Sequence, residues 1–137
     1  MWWLYALLSA FFAALTAIFA KMGIRNMDSD LATAIRTIVI GILAWAITIY
    51  KGNTHSITNL DRNNWTFLIL SGLATGCSWI FYFKALQLGK VSQVAPVDKS
   101  SVAMAIILSI LFLGETLTWK TALGAILIIG GTLVLIF

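Results

Sequence analysis

The stretch Trp2–Ala20, WWLYALLSAFFAALTAIFA, holds nineteen residues without one charged side chain. A helix needs about 20 apolar residues, at ~1.5 Å each, to cross the ~30 Å hydrocarbon core of a bilayer. No basic segment precedes this run, and it is longer than the apolar core of a signal peptide. We therefore expect it to stay in the protein as a membrane-spanning helix.

Four further apolar stretches of similar length follow this one. They run over Leu31–Tyr50, Trp65–Leu88, Val91–Leu113 and Leu117–Phe137. The whole chain is 61% hydrophobic and only 10% charged, whereas a soluble domain carries about 25% charged residues. Open strands cannot face lipid, and the alternating strands of a transmembrane barrel are not visible. The sequence predicts an all-α integral membrane protein with five transmembrane helices.

The few polar residues exclude several classes of function. The nine Lys and Arg residues are dispersed along the chain, which is typical of membrane anchoring and not of a nucleic-acid surface. One Cys and one His leave neither an intramolecular disulfide nor a metal site. No nucleotide-binding loop, catalytic triad or paired catalytic carboxylates are visible. We predict that the protein is not an enzyme and that it uses no cofactor.

Basic residues are divided almost equally between the two membrane sides. Five spans place the termini on opposite sides, so the connections sort into two groups. One side receives Lys51, Arg62 and Lys120, and the other receives Lys21, Arg25, Lys90 and, near its helix end, Lys84. In most membrane proteins, an excess of Lys and Arg on the cytoplasmic side indicates the orientation. Either this chain has too few charges to show such an excess, or it inserts in both orientations.

Four ionisable residues lie inside the predicted spans: Arg36, Lys84, Asp98 and Lys99. Each costs about 2.5–3.5 kcal/mol at a helix centre on insertion scales. All four fall in the same half of the membrane, so they are expected to converge on one polar pocket. Arg36 and Lys84 have long side chains that can instead extend to the interface. Asp98 cannot, so it lines a pocket or belongs to a structural ion pair.

Pro96 precedes the charged pair and is expected to break the fourth helix, because it removes one helical hydrogen bond. The hydroxyls of Ser92 and Ser101 lie close in sequence. Adjacent side chains on a helix diverge by about 100°, so we expect Asp98 to find its partner on another helix. The alternative is that Pro96 is only a kink.

Two aromatic residues, Trp79 and Tyr82, are spaced three apart on the third helix. They are expected to line a cavity or, as is more common for aromatic residues, to face lipid or pack against other side chains. The three cations and one acid inside the spans leave two positive charges. We therefore expect a substrate that carries an anionic group, a carboxylate or a phosphate.

Several motifs, taken in order, resemble the EamA-type unit of the drug/metabolite transporter superfamily. They are Tyr82–Gly89 (YFKALQLG), Val94–Pro96 (VAP) and Leu113–Leu117 (LGETL), followed by a last helix with spaced glycines. Three further stretches resemble the small five-helix bacterial and archaeal branch of this superfamily. They are Ala95–Ser100 (APVDKS), Ala20–Gly23 (AKMG) and Ala32–Arg36 (ATAIR). The resemblance implies one EamA-like transmembrane domain over residues 1–137, which is half of a ten-helix inverted-repeat transporter.

Further expectations rest on this resemblance. It implies a secondary transporter of small metabolites, exporting them by alternating access from the cytoplasmic (inner) membrane of a prokaryote. It also implies a homodimer, plausibly antiparallel, in contact with membrane lipid. Four-helix multidrug relatives carry an acidic residue in their first helix, and here none precedes Lys21, which leaves Asp98 as the acid to test. The alternative is a non-transporting membrane subunit that packs against a partner protein or lipid.

Overall fold

The computed structural model describes the backbone of residues 1–137 and all side chains except those of His55 and Ser56. The α-helices are α1 (Trp2–Gly23), α2 (Ser29–Tyr50), α3 (Arg62–Leu88), α4 (Val91–Lys99), α5 (Ser101–Leu113) and α6 (Trp119–Ile136). Short 3-10 helices occupy Ile24–Asn26 and Asn53–Asn59 in the first two connections. No strand occurs in the described backbone. The predicted all-α fold is confirmed.

Five helical segments of the described chain are long and apolar enough to cross a membrane. They are Trp2–Asn26, Ser29–Tyr50, Arg62–Leu88, Val91–Leu113 and Trp119–Ile136. This confirms the five predicted spans. The third begins three residues earlier than predicted, at Arg62, because its first turn is formed by polar residues. The fourth consists of two helices, α4 and α5, which are divided at Ser100.

Side-chain caps fix where two of the spans begin. An Asp28 carboxylate oxygen accepts hydrogen bonds from the backbone N–H groups of Asp30, at 2.9 Å, and Leu31, at 3.2 Å. The Thr118 hydroxyl accepts one from the backbone N–H of Thr121, at 3.2 Å. The first N–H groups of a helix have no partner within the helix, so each cap satisfies an otherwise unpaired donor.

Contacts divide the chain into two compact units. One comprises Met1–Ile18 together with Leu88–Phe137, and the other comprises Phe19–Gln87. In the first unit α6 packs against α4 and α5. The second unit contains most of the buried residues of the chain, namely Ala20, Ile24, Ser29, Ala32, Thr33, Phe83 and Leu86. A single domain over residues 1–137 stays a prediction.

The spans expose most of their apolar surface. Few residues of the spans are buried inside the chain, and most of their large hydrophobic side chains are exposed. Water would make such exposure unfavourable, whereas the hydrocarbon core of a bilayer is as apolar as these side chains. The surfaces of the five spans are therefore suited to contact with lipid and with other membrane helices.

Candidate functional site

Arg36 lies on an aromatic surface of α3 within the unit Phe19–Gln87. Its guanidinium carbon is 4.2 Å from the ring centre of Phe83 and 5.9 Å from that of Trp79. Arg36 and Trp79 are half-buried, and Phe83 is only 1% exposed. A cation over an aromatic face is stabilised by about 0.5–1 kcal/mol at exposed sites and by ~2 kcal/mol or more when desolvated. The side chain of Arg36 is thus held against α3.

The aromatic surface itself is built by residues one helical turn apart on α3. The Phe83 ring centre lies 6.4 Å from that of Trp79 and 5.6 Å from that of Tyr82. Trp79 and Tyr82 were predicted as lining residues, but Phe83 was not singled out. Its spacing of four from Trp79, which brings the two side chains to one helix face, was the available signal. Phe83 is the residue that ties this cluster together.

Lys84 is exposed and takes no part in the Arg36 cluster. It follows Phe83 directly on α3, so its side chain leaves the helix about 100° away from that ring. Among the described residues of its own unit, no carboxylate is paired with its ammonium group. Lys84 therefore presents its charge on the surface of the unit.

Asp98 and Lys99 form an ion pair in the other unit. The Lys99 Nζ atom lies 3.2 Å from an Asp98 carboxylate oxygen. The expectation that Asp98 would pair on another helix, and not with its neighbour, is therefore wrong. The two backbone positions do diverge, but the four-carbon side chain of Lys99 is long enough to bend back to the acid. The side chains remain 32% exposed at Asp98 and 60% exposed at Lys99.

The fourth helix was expected to break at Pro96, but the break lies at Ser100. α4 continues through Pro96 to Lys99. The Ser100 backbone N–H then bonds to the Val97 carbonyl at 3.0 Å instead of reaching Pro96 four residues back. The Pro96 carbonyl therefore accepts no hydrogen bond from the Ser100 N–H. It lies 3.2 Å from the Thr132 hydroxyl on α6. A partner on a neighbouring helix therefore stabilises the interruption.

The hydroxyls near this break differ in their surroundings. Ser92 and Ser101, which were both predicted to lie near the polar site, have exposed side chains. The Ser100 hydroxyl donates to the Val97 carbonyl at 2.7 Å, so it supports the turn. Thr132 was not predicted. Its hydroxyl also lies 2.8 Å from the Ile128 carbonyl, and the residue is only 7% exposed. The exposed serines, the ion pair and Pro96 all belong to one unit.

The predicted site residues form two groupings, one within each unit, and a single pocket that joins them stays a prediction. The first joins Arg36 with Trp79, Tyr82 and Phe83, and the second joins Asp98 with Lys99 beside the interruption at Ser100. Within the described residues, no cluster of three metal-ligating side chains is found. The first grouping offers a planar cation on aromatic rings, and the second offers an exposed acid and ammonium. Both can bind charged groups of small molecules.

Comparison with known proteins identifies the family. The EamA-like transporter family matches residues 1–137, the whole chain. A Sinorhizobium protein, "Uncharacterized transporter in cobO 3'region", is 49% identical over 98% of this chain and 95% of its own length. An uncharacterized protein of Methanocaldococcus jannaschii is 35% identical over 71% of this chain and 69% of its own.

A third relative is considerably longer. The Bacillus subtilis "Uncharacterized transporter YxxF" is 26% identical over 93% of this chain, but the match covers only 40% of that protein. No solved structure gives a significant match. The five apolar spans, the family match and the transporter relatives agree on a multi-pass membrane protein. The chain belongs to the EamA-like transporter family.

Proposed function

We propose that the protein exports small metabolites by secondary transport, as a homodimer that opens alternately to the two sides of the membrane. The observation that carries this proposal is the exposed ion pair of Asp98 and Lys99, which lies inside the span Val91–Leu113. Residues 1–137 would act as one domain, in the inner membrane of a prokaryote. Small-molecule transport agrees with the family, and no enzymatic step is required of the chain.

The depth of the ion pair makes contact with lipid unfavourable. Asp98 is seven residues inside the span, which corresponds to about 10 Å at ~1.5 Å per residue. Charged groups near a helix centre cost roughly 2.5–3.5 kcal/mol each on insertion scales. The pair is nevertheless one-third to more than half exposed on the isolated chain. We infer that it faces a polar surface, either a second copy of the chain or a water-filled path.

The lengths of the relatives support two cooperating copies. This chain matches 95% of the Sinorhizobium relative but only 40% of the Bacillus transporter. Many transporters contain two repeats of inverted orientation, with the substrate path between them. Two copies of a five-span chain provide the same ten helices when they insert in opposite orientations. The nearly equal distribution of basic residues on the two sides supports such insertion.

Within this assembly we assign the charged residues to the substrate path. Arg36, with Trp79 and Tyr82, offers a planar donor beside aromatic rings, while Lys84, Ser92 and Ser101 offer polar side chains at exposed positions. With Asp98 and Lys99, the spans carry three cations and one acid. A substrate with a carboxylate or phosphate would reduce this excess of positive charge. Asp98 is the acid that we propose to couple transport to an ion gradient.

The proposal is tested by comparing the metabolites that cells release. Cells expressing the wild-type protein, an empty vector, Asp98→Asn or Glu115→Gln are washed, and the medium is sampled over time by mass spectrometry. We expect the wild type to raise at least one anionic or zwitterionic metabolite in the medium. Asp98→Asn should reduce this release at least tenfold at equal membrane abundance. Glu115→Gln is the matched control, because Glu115 lies between the last two spans.

Release that is identical for the wild type and the empty vector would contradict transport by this chain. In that case the alternative, a membrane subunit that packs against a partner protein or lipid, predicts that Asp98→Asn reduces assembly and not flux. Membrane abundance and size-exclusion profiles of the same four samples distinguish the two functions. The transporter names of the relatives favour the first.

A further inference from the structure

A groove of about 400 Å³ lies where α1 and α3 end, inside the unit Phe19–Gln87. Its lining residues are Lys21, Met22, Ile24, Arg25 and Gln87. None of these residues belongs to the Arg36 cluster or to the Asp98–Lys99 pair, and none is assigned to the proposed transport path. Two of the groove's five residues are cations, and none is acidic.

The short turn that carries Arg25 is fixed to the end of α3. The Gln87 side-chain amide donates to the Met27 carbonyl at 2.9 Å and lies 3.4 Å from the Ile24 carbonyl. Ile24 is only 2% exposed, so the turn is also anchored by an apolar side chain. Arg25 lies between these two tethered residues. The position of its backbone is therefore set before any ligand binds, which reduces the entropy lost on binding.

Lys21 is the second cation that lines the groove. Its ammonium group donates to the Leu86 carbonyl and lies 3.5 Å from the Gln87 carbonyl at the end of α3. A cation is favourable at this position because the last carbonyls of a helix carry a partial negative charge. These contacts hold a positive charge at a defined place beside the groove.

Arg25 has donors available for a ligand. Its guanidinium group carries five N–H donors in a planar fork, which matches phosphate geometry. The residue is exposed, and among the described side chains no carboxylate lies within ion-pair distance of it. The nearby Asp28 carboxylate accepts two backbone hydrogen bonds at the start of α2. The local acid is thus engaged in capping a helix, which leaves the Arg25 donors to an anionic ligand.

The groove lies at the ends of two spans. The uncharged run Trp2–Ala20 stops just before Lys21, and all five lining residues fall within the last six residues of the spans Trp2–Asn26 and Arg62–Leu88. Because the ends of spans approach the membrane surface, we place the groove near the headgroup region. Met22 and Ile24 supply apolar surface next to the two cations, as a glycerol backbone beside a phosphate requires. Basic pockets at this depth bind anionic headgroups.

We propose that this groove binds a phosphate group, supplied by the headgroup of an anionic phospholipid. Arg25 contacts the phosphate oxygens, Lys21 contributes a second positive charge, and Gln87 holds the turn in place. The bound lipid would fasten the connection between the first two spans to the membrane surface. This inference concerns lipid binding and does not depend on the proposed transport activity.

Lipid competition measured by native mass spectrometry tests the site. Purified protein in detergent is mixed with equal amounts of phosphatidylglycerol and phosphatidylcholine, and the bound lipids are counted. We expect the wild type to bind more phosphatidylglycerol than phosphatidylcholine. Arg25→Gln should lower the ratio of the two bound lipids about fivefold, which is the effect of removing one interfacial cation. Arg25→Lys, which keeps the charge, should retain at least half of the wild-type ratio. Lys90→Gln removes a cation from the connection between α3 and α4, outside the groove, and should leave the preference within twofold.

Three results would overturn the proposal. A wild type without lipid preference, or an equal loss in Arg25→Gln and Lys90→Gln, would show that no site exists at the groove. Glycerol phosphate, added in excess without lipid, tests the other source of the phosphate. If it binds the wild type and displaces phosphatidylglycerol, the site belongs to a soluble phosphate compound and the lipid assignment is wrong. If it does not, and the preference depends on Arg25, the proposal holds.

Discussion

The guanidinium carbon of Arg36 lies 4.2 Å from the ring centre of Phe83, so a cation–π contact joins α2 to α3. Phe83 is buried and Arg36 is half-buried. The contact satisfies a charge inside a span without an acidic partner. It also shows that the Arg36 side of α2 faces the aromatic side of α3.

We predict a measurable coupling between these two residues. Arg36→Gln and Phe83→Leu should each destabilise the protein, and the double variant should lose about 0.5–2 kcal/mol less than the sum of the single losses. Equilibrium unfolding in mixed micelles measures the loss of unfolding free energy, relative to the wild type, for the two single variants and the double variant. Arg62→Gln serves as the control, because Arg62 is exposed at the start of α3. Strict additivity of Arg36→Gln with Phe83→Leu would contradict the contact.

Lys21 is predicted to stabilise the C-terminal end of α3. Its ammonium group donates to the Leu86 carbonyl, and hydrogen bonds to charged groups contribute about 1.5–3 kcal/mol. Lys21→Met should therefore lower the free energy of unfolding by about 1–2 kcal/mol, because Lys21 is only partly buried and water takes up some of the lost bonding. Lys120→Met removes an exposed cation in the first turn of α6. This control should change the free energy of unfolding by less than half as much as Lys21→Met does. Equal effects of the two substitutions would refute the role of Lys21.

The hydroxyl of Thr132 is predicted to stabilise the interruption between α4 and α5. It lies 3.2 Å from the Pro96 carbonyl, which the Ser100 N–H does not reach. Thr132→Val keeps the shape and removes the hydroxyl, so it should cost about 1 kcal/mol. The control is Thr48→Val, because the Thr48 hydroxyl bonds only within its own helix. Unchanged melting of Thr132→Val, measured by size-exclusion after heating, would show that the contact is not stabilising.

Lys99 is predicted to select for anionic groups on the exported metabolite. In the wild type its ammonium is paired with Asp98 but remains 60% exposed. Lys99→Gln should reduce the release of carboxylate- or phosphate-bearing metabolites at least fivefold, and it should affect cationic ones less. The medium-sampling experiment described above measures both classes together. Selective release of cations that Lys99→Gln leaves unchanged would contradict the proposed substrate class.

The membrane spans could be predicted because their signal is local. A run such as Trp2–Ala20 is long enough to cross a bilayer whatever the rest of the chain does. Pairings between helices are not local. Contact between Arg36 and Phe83 depends on how α2 and α3 are rotated, and no spacing within either helix encodes that rotation.

The place where the fourth span is interrupted could not be predicted from the sequence. The missing N–H of proline correctly indicated a disturbed helix, but the interruption lies four residues later, at Ser100. There the Pro96 carbonyl accepts a hydrogen bond from the Thr132 hydroxyl of α6, a contact that no spacing within the fourth span encodes. The Asp98–Lys99 pair was missed for a different reason. Helical geometry describes where side chains leave the backbone, whereas the reach of a lysine allows it to bend back.

We propose that two copies of the chain in opposite orientations form the transport path. This arrangement is tested most directly by adding one cysteine after Phe137, in a Cys77→Ser background, and labelling it with a membrane-impermeant maleimide. Intact cells report the outer side, and opened cells report both sides. We predict that roughly half of the protein is labelled in intact cells and the remainder only after opening. Complete labelling from a single side would show one fixed orientation and would contradict the antiparallel pair.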